Sequence, residues 1–403
     1  MRRPLSLLPA VVVATACATS GSSVGSSATP ASAASAASSS AAERGAFVVR
    51  LGSDTIAVEK FARSGNRIEG DEAMRTPAAG LRHYVVTLGA DGSVREVQYE
   101  ARRISGSVPP TRATMTFGAE TTTVALSAGG RDTTLRYAAR GAMPYVNLSY
   151  GMLEALTMRQ LAAPASGDTI RLITLGAPQP VPAVFRRVGS DSVTFAVFET
   201  TPYRARVDER GRILGLQGLG TTQKVVVERV ADVDVAGTAA AWARRDSAGQ
   251  ALGVLSPLDS LTASVGAAQL RVVYSRPAQR GRTIMGGVVP YDQVWRTGAN
   301  AATMFTTSRD LVIGGATVPA GSYTLWTLPS AGGAKLIINK QTGQWGTDYD
   351  ASKDLVRVDA AVTKVSPPVD RFTFAIEPNA AGTGGTLKYA WGDTQFAVPF
   401  TVK

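Results

Sequence analysis

The feature that most constrains the fold of this chain is the repetition of short β-patterned runs from residue 46 onward. Many of these runs alternate apolar and polar side chains, which is the pattern of strands that bury one face. Turns rich in glycine, aspartate and serine separate them, and Asp91-Gly92 and Gly129-Gly130 favour tight hairpins. The pattern therefore predicts a mainly β protein in which neighbouring strands pair antiparallel.

Two segments interrupt the β pattern. Residues 147–162 place apolar side chains at helical spacing and contain no proline, and an alanine-rich run falls within residues 236–260. We predict one amphipathic helix in the first segment and a helical linker in the second. The linker would separate a β-rich N-terminal domain, residues 46–235, from a C-terminal domain, residues 261–403. Nine short strands are predicted in the latter, which favours an antiparallel β-sandwich.

Composition excludes several classes of function. Of the 403 residues, 44% are hydrophobic, so the chain can bury a core and is not disordered throughout. The chain has one cysteine and one histidine, which excludes an intrachain disulfide, cysteine-based zinc or iron–sulfur sites and histidine-cluster metal sites. Ser–His–Asp chemistry would depend on His83 alone. No metal or cofactor is expected.

Net charge gives a weaker indication of partners. The formal charge is +11, from 42 lysine and arginine residues against 31 aspartate and glutamate residues. Such an excess is compatible with an anionic partner. However, the charges are spread over both predicted domains, and two of the arginines lie in the predicted signal segment. Nucleic acid is therefore not an expected partner.

The N-terminus has the composition of a secretory signal. A short, largely apolar run follows the initial Met-Arg-Arg and is too short to span a bilayer. It ends in Ala14-Thr15-Ala16-Cys17, which resembles the lipobox of bacterial lipoproteins, although alanine replaces the usual leucine three positions before the cysteine. The resemblance implies that residues 1–16 are removed and that Cys17 is lipidated. The alternative is an ordinary signal peptide with an incidental cysteine.

The segment after Cys17 is predicted to be a tether. Residues 18–42 contain only small or uncharged side chains, which cannot bury enough surface to offset the entropy of ordering. Residues 17–45 are therefore assigned to the lipidated cysteine and a flexible tether. Ala18 stands where lipoproteins kept in the inner membrane have aspartate, so the resemblance implies anchoring in the outer membrane, facing the periplasm or the cell surface.

Two resemblances concern the domains themselves. The N-terminal pattern of many strands and one helix is similar to the open half-barrels of periplasmic lipid-handling lipoproteins, and predicts an open or half β-barrel. The C-terminal runs are more specific. They are YSRP at 274–277, GGVVPYDQVWRTGAN at 286–300, VPAGSYTLWTLP at 318–329 and IINKQTGQWG at 337–346, followed by Tyr349. These runs resemble the bacterial family called domain of unknown function 2911, which implies an exported β-sandwich and no particular reaction.

Candidate ligand-binding residues cluster in the same runs. Arginine suits carboxylate, phosphate or sulfate because its planar guanidinium makes paired hydrogen bonds. Aromatic side chains beside arginine and asparagine would suit a sugar ring. The candidates are Tyr274, Arg276, Arg282, Tyr291, Trp295, Arg296 and Asn300. The alternative is structural: an inward arginine braces loop carbonyls and an internal aspartate, and the aromatic rings fill the core.

These observations favour an exported cell-envelope lipoprotein that binds rather than catalyses. The expected partners are the membrane, through the N-terminal lipid, and a glycan, a lipid or another envelope protein; a purely structural module is also compatible. The alternative is an envelope hydrolase acting on glycan or ester through tyrosine, arginine and aspartate of the C-terminal domain. The catalytic residues of such an enzyme cannot be named from the sequence.

Overall fold

The computed structural model describes residues 42–162, 169–197, 201–220 and 224–403. The predicted signal segment, Cys17 and most of the predicted tether lie outside these ranges. The described chain is mainly β and forms two sheets, a large N-terminal one and a C-terminal one. The fold class predicted from the strand pattern is confirmed.

The N-terminal sheet has fifteen strands within the described ranges. They are β1 (Glu43–Leu51), β2 (Asp54–Ser64), β3 (Arg67–Met74), β4 (Gly80–Leu88), β5 (Val94–Arg103), β6 (Thr111–Phe117), β7 (Thr121–Ala128), β8 (Arg131–Ala138), β9 (Met143–Pro144), β10 (Thr169–Ile173), β11 (Val181–Val188), β12 (Ser192–Val197), β13 (Thr201–Val207), β14 (Ile213–Gly218) and β15 (Val225–Val230).

The chain enters this sheet at its centre. β1 pairs with β2 on one side and with β15 on the other, and consecutive strands run outward to β8 and, on the other half, from β9 back to β15. All pairs are antiparallel except the short β9–β10 pair. The sheet curves: the Tyr137 hydroxyl on one edge strand donates to the backbone oxygen of Ala177 beyond β10 at 2.5 Å. The two edge strands, β8 and β9, do not pair with each other in the described chain, so the sheet is open.

Two α-helices in the described ranges cover opposite faces of this sheet. They are α1 (Tyr150–Ala162) and α2 (Val235–Ser247). The N-terminus of α1 lies against the face that carries Glu59 and Phe61. On the other face, Val58 packs in a cluster with Ala239 and Trp242 of α2. The helix predicted within residues 147–162 is α1. Of the linker predicted over residues 236–260, only the part up to Ser247 is helical, and β16 begins at Leu258. The helix α2 packs against the sheet that precedes it in sequence.

The C-terminal sheet has nine strands in the described chain. They are β16 (Leu258–Val265), β17 (Ala268–Ser275), β18 (Thr303–Thr307), β19 (Leu311–Ile313), β20 (Ala316–Val318), β21 (Gly321–Ser330), β22 (Gly333–Asn339), β23 (Asp354–Pro378) and β24 (Gly384–Val402). A 3-10 turn, Ala351–Lys353, precedes β23.

The long strand β23 lets the C-terminal sheet fold over on itself. Its first part pairs with β22 and its remainder with β24, with register shifts between Lys364 and Thr373. The two halves then share one core, in which Tyr274 of β17 meets Phe372 and Phe374 of β23. Side chains on β23 alternate between this core and the surface, which is the expected pattern for one buried face.

Candidate functional site

The strongest candidate for a ligand site is a cavity of about 310 Å³ on the C-terminal half. We call it the Arg296 cavity. Val288, Trp295, Trp326 and Tyr349 are among its lining residues, so all the longer runs that resemble domain of unknown function 2911 contribute to it. A further part of the wall comes from the connection between β14 and β15, through Leu219, Gly220 and Lys224. The cavity therefore lies between the two sheets.

The backbone around Trp295 fixes the direction of Arg296. Trp295 exchanges two backbone hydrogen bonds with Thr327 of β21, each of 2.8 Å. Its indole packs against Phe372 and Trp391 in the core and donates to the backbone oxygen of Gly298 at 3.0 Å. Because successive side chains of extended backbone point to opposite sides, the next residue, Arg296, points away from this core.

Arg296 is a buried cation without an acidic partner. The residue is 5% exposed, and its Nη1 donates to the backbone oxygen of Asn300 at 3.0 Å. Its Nε is buried and has no acceptor among the described residues. None of the described carboxylates forms an ion pair with the Arg296 guanidinium. Burial lowers the pKa of Arg296 to about 10, and the charge of Asp348 offsets this only in part. An anion in the cavity would supply the opposite charge that the described residues lack.

A second cation lines the same cavity. The Nζ of Lys224 donates to the backbone oxygen of Gly287 at 2.7 Å, across the two sheets. Partial burial, with a smaller contribution from Arg282, lowers the pKa of Lys224. No Asp or Glu is among the described residues that line the cavity. The cavity thus combines two cations with no compensating carboxylate of its own.

Aromatic rings form another wall. Trp326 and Tyr349 have ring centroids 4.9 Å apart at an angle of 53°. The Tyr349 hydroxyl donates to Asp354 at 2.6 Å and accepts from Arg357 at 2.9 Å, so the ring is held in place. Burial and the Asp354 carboxylate raise the pKa of Tyr349 to about 12. Trp326 is only 1% exposed, so Tyr349 is the ring of this pair that can meet the apolar face of a sugar, and its raised pKa makes it a poor base.

The structure separates the predicted site residues into three groups. Trp295 and Arg296 line the Arg296 cavity together. Tyr274 and Arg276 do not reach it. The Tyr274 ring lies in the sandwich core and its hydroxyl accepts from the backbone N–H of Phe374 at 3.2 Å.

Arg276 takes the bracing role that the structural interpretation described. Its guanidinium donates to Asp259 at 3.0 Å, to the backbone oxygen of Phe372 at 3.1 Å and to Thr373 at 2.8 Å. Each guanidinium nitrogen therefore has an acceptor, one of them a carboxylate. Arg276 therefore has a carboxylate partner, whereas Arg296, twenty residues later in the sequence, has none among the described residues.

The remaining candidates lie elsewhere. Arg282 and Asn300 line a second cavity, while Tyr291 is 41% exposed and its ring lies beside Gly286. Asn300 connects the two cavities, since its backbone oxygen accepts from Arg296 and its side chain lines the second one. Ligand binding by any of these residues stays a prediction.

Sequence reasoning missed a cluster of buried acids under α1. Glu59 on β2 accepts from the backbone N–H groups of Tyr150 and Gly151, at 2.6 and 2.9 Å, and from the Tyr84 hydroxyl at 2.6 Å. It therefore caps the N-terminus of α1, whose own first turn has no acid. The signal in the sequence was that Glu59 alternates with Ala57 and Phe61, on the apolar face of the strand.

Electrostatics within this cluster oppose ionisation. Glu72 on β3 lies directly opposite Glu59 in the strand register. Burial and the charge of Glu72 raise the pKa of Glu59 to about 8, although its three hydrogen bonds act in the opposite direction. Burial also raises the pKa of Glu72, which has Arg82 at 3.4 Å. These acids serve packing and helix capping, because their partners are backbone groups and neighbouring side chains of the fold.

A third buried acid holds the middle of α1. Glu154 pairs with Arg229 of β15 at 2.5 Å and accepts from the backbone N–H of Ile213 at 2.8 Å. The Arg229 guanidinium lies 5.2 Å from the centre of the Phe47 ring.

Over the described ranges, no group of three or more His, Cys, Asp or Glu side chains is arranged to hold a metal ion. Neither α1 nor α2, the two helices of the described chain, combines the length and apolar character needed to cross a membrane.

Comparison with known proteins supports the C-terminal resemblance. Residues 256–400 match the family described as protein of unknown function (DUF2911), which confirms the resemblance for this part of the chain. A search of curated proteins finds no match.

Two solved structures share part of the fold at low similarity. One is a β-barrel-like protein of domain of unknown function DUF1849 from Brucella abortus, 14% identical, with a TM-score of 0.34 over 47% of this chain and 95% of that one. The other is a DUF1089 family protein from Pseudomonas aeruginosa, 15% identical, with a TM-score of 0.31 over 40% of this chain and 90% of that one. Both likenesses are too distant to bear on function.

Proposed function

We propose that this protein is a binding module of the cell envelope whose ligand is a glycan with an acidic group, held in the Arg296 cavity. The observation that carries the proposal is the buried Arg296 guanidinium, which lines a cavity and has no carboxylate partner among the described residues. A buried cation is costly unless an opposite charge accompanies it. A carboxylate or sulfate on the ligand supplies that charge.

The walls of the cavity favour a sugar over a purely apolar ligand. The half-buried Tyr349 ring, backed by the buried Trp326, offers aromatic surface, and Gln293 and Thr347 offer polar side chains at the same opening. A few convergent polar groups on a largely apolar wall are typical of small-molecule sites. Lys224 adds a second cation from the N-terminal sheet, so a bound ligand would contact both halves of the protein.

Binding is favoured over the hydrolase alternative by the groups that line the cavity. General acid–base chemistry needs a carboxyl, imidazole or similar group within hydrogen-bond reach of the substrate. Asp354 holds the Tyr349 hydroxyl instead of facing the cavity, and Asp348 is exposed to solvent. The described wall therefore offers cations and aromatic rings, which recognise a ligand, without a carboxylate to cleave it.

A pair of sugars that differ in one group tests the proposal. D-glucuronate is expected to bind the full chain and to change tryptophan fluorescence, while D-glucose binds at least about tenfold more weakly, because a charged hydrogen bond contributes about 1.5–3 kcal/mol. Arg296→Gln is expected to remove the preference for glucuronate. Arg271→Gln, an exposed arginine on β17, is the matched control and should behave as wild type. Equal binding of the two sugars, or no binding of either, would overturn the proposal.

The cellular location is proposed from the N-terminal sequence. The apolar segment and Cys17 support export and anchoring through a lipid, in the outer membrane, with the two sheets facing the periplasm or the cell surface. Cys17→Ser is expected to move the protein from the membrane fraction to the soluble fraction. A variant that stays in the membrane pellet would contradict the lipid anchor.

A further inference from the structure

The strands β10–β14 form a part of the N-terminal sheet without acidic residues. As described, these five strands contain no aspartate or glutamate, and their arginines are Arg171, Arg186, Arg187, Arg204 and Arg206. The strands β3–β6 differ, because they carry both charges and form ion pairs such as Arg67 with Glu69 and Arg112 with Glu100. The positive charge on β10–β14 is therefore not balanced within those strands.

Three of these arginines are free on the outer face of the sheet, the face away from α1. Arg204 and Arg206 flank the buried Ala205 on β13, so their side chains point away from the core. Arg171 has the same orientation on β10, next to the buried Leu172. All three are exposed, and none forms a hydrogen bond or an ion pair with the described part of the chain. Their guanidinium groups are thus accessible to a partner.

A groove of about 670 Å³ crosses this outer face over β12–β15. Arg204 and Arg206 line it together with Leu214 and Val226, which are 36% and 38% exposed. Glu228 is the one acid among the described lining residues, and it is paired with an arginine of β1 at 3.5 Å. The groove therefore presents free cations beside exposed aliphatic side chains.

We propose that the outer face of β10–β14 docks on the surface of a bilayer that contains anionic lipids. Guanidinium groups bind the phosphate oxygens of lipid headgroups through charge-assisted hydrogen bonds. Aliphatic side chains beside them can enter the boundary between headgroups and acyl chains. Arg171 and Arg204 lie three strands apart, about 14 Å at the usual spacing between strands. An extended surface with many phosphate groups can meet both, whereas a single phosphate cannot.

Two features favour a bilayer over a nucleic acid as the partner. Phe185, Phe195 and Tyr203, the aromatic residues of the described β10–β14 segments, are all buried in the core, so no ring is available for stacking on bases. In addition, the lipid proposed at Cys17 would hold the protein at a bilayer, where a weak electrostatic contact is sufficient. The inference draws on the proposed anchor in this respect, but the contact itself requires only the exposed face.

The docking face is separate from the Arg296 cavity. The groove and that cavity have no lining residue in common. Arg296→Gln is therefore expected to leave docking unchanged, and the two proposals can fail separately. A wash at high salt also distinguishes docking from a lipid anchor, because salt screens charges on an exposed surface and does not extract an acyl chain.

Flotation with lipid vesicles tests the inference on the full chain carrying Cys17→Ser, so that no lipid is attached. We expect the protein to float with vesicles of equal parts phosphatidylcholine and phosphatidylglycerol, and not with phosphatidylcholine alone. Combining Arg204→Gln with Arg206→Gln is expected to weaken binding at least about tenfold. Both side chains are exposed and unpaired, so the melting temperature of this variant should equal that of the parent chain.

The matched control combines Arg131→Gln with Arg136→Gln, two exposed arginines on β8. It removes the same charge from the other half of the sheet and should bind as the parent chain does. All these proteins share the same N-terminal segment, whose contribution to binding is therefore equal. Equal weakening in the two double variants, or equal binding to the two kinds of vesicle, would overturn the docking face. Binding of duplex DNA through Arg204 and Arg206, without binding of vesicles, would assign the face to nucleic acid instead.

Discussion

The two halves of this protein bury ionisable side chains of opposite type and treat them differently. Under α1, the N-terminal sheet buries Glu59 and Glu154, and each accepts hydrogen bonds from two or more groups of the fold. At the junction with the C-terminal sheet, Arg280 and Arg296 are buried with nitrogens that have no acceptor among the described residues. A buried ionisable group whose hydrogen bonds are satisfied by the fold has a structural role. Glu72 in the N-terminal sheet also has a buried oxygen without a partner among the described residues, so a missing partner indicates a place for a ligand only where the residue also lines a cavity, as Arg296 does.

The largest expected effect is on the acid side of this comparison. Glu154→Ala is expected to lower the free energy of unfolding by about 3–5 kcal/mol, because it leaves the half-buried Arg229 without its carboxylate and the backbone N–H of Ile213 without its acceptor. Chemical denaturation of the full chain measures this. Glu228→Ala is the matched control, since Glu228 forms an exposed pair with Arg50 and should change the free energy by less than about 1 kcal/mol. Similar losses in the two variants would show that the buried pair has no special role.

A second effect concerns pH. Folding raises the pKa of Glu59 from its ordinary value of 4.5 to about 8, through burial and the neighbouring Glu72. Between these pH values the folded protein holds a proton that the unfolded chain has released, so the stability from this group is lost as pH rises through that range. Glu59→Gln is expected to reduce the slope of unfolding free energy against pH. Glu69→Gln, an exposed acid on β3, should keep the wild-type slope, and an unchanged slope in Glu59→Gln would refute the assignment.

The smallest expected effect is on the arginine side. Arg296→Met removes one hydrogen bond, to the backbone of Asn300, and also removes a buried charge that has no partner acid. Losing the hydrogen bond destabilises the fold, whereas losing the unpaired buried charge stabilises it, so the free energy of unfolding should change by no more than about 1 kcal/mol. A loss as large as that of Glu154→Ala would place Arg296 with the structural charges and remove the basis for the binding proposal.

Local sequence patterns were sufficient for much of the fold. The helix predicted over 147–162 is α1, and the alternation of Phe372, Phe374 and Ile376 is the buried face of β23. Both depend on periodicities of a few residues, which the sequence displays directly. The role of Arg276 was one of the two that the sequence allowed, an inward arginine that braces backbone carbonyls and an aspartate rather than one that binds an anion.

Only part of the candidate site could be predicted from such local patterns in the sequence. Trp295 and Arg296 are neighbours in sequence, and the structure keeps them on one cavity. Lys224 could not be assigned to that cavity, since it comes from the other sheet. Tyr274 and Arg276 were candidates on the same grounds as Trp295 and Arg296, yet Tyr274 lies in the core and Arg276 pairs with Asp259. Spacing along the chain did not distinguish these roles.

By itself, the sequence determined that the chain is a β protein, that its single cysteine and histidine exclude several metal and nucleophile chemistries, and that its C-terminal part resembles a known family. Only the tertiary structure decided which buried charges are compensated. Arg280 meets its carboxylate across 226 positions of sequence and Glu154 meets Arg229 across 75. The cost of a buried charge depends on the groups within a few ångströms of it, and those neighbours are set by how the sheets fold together.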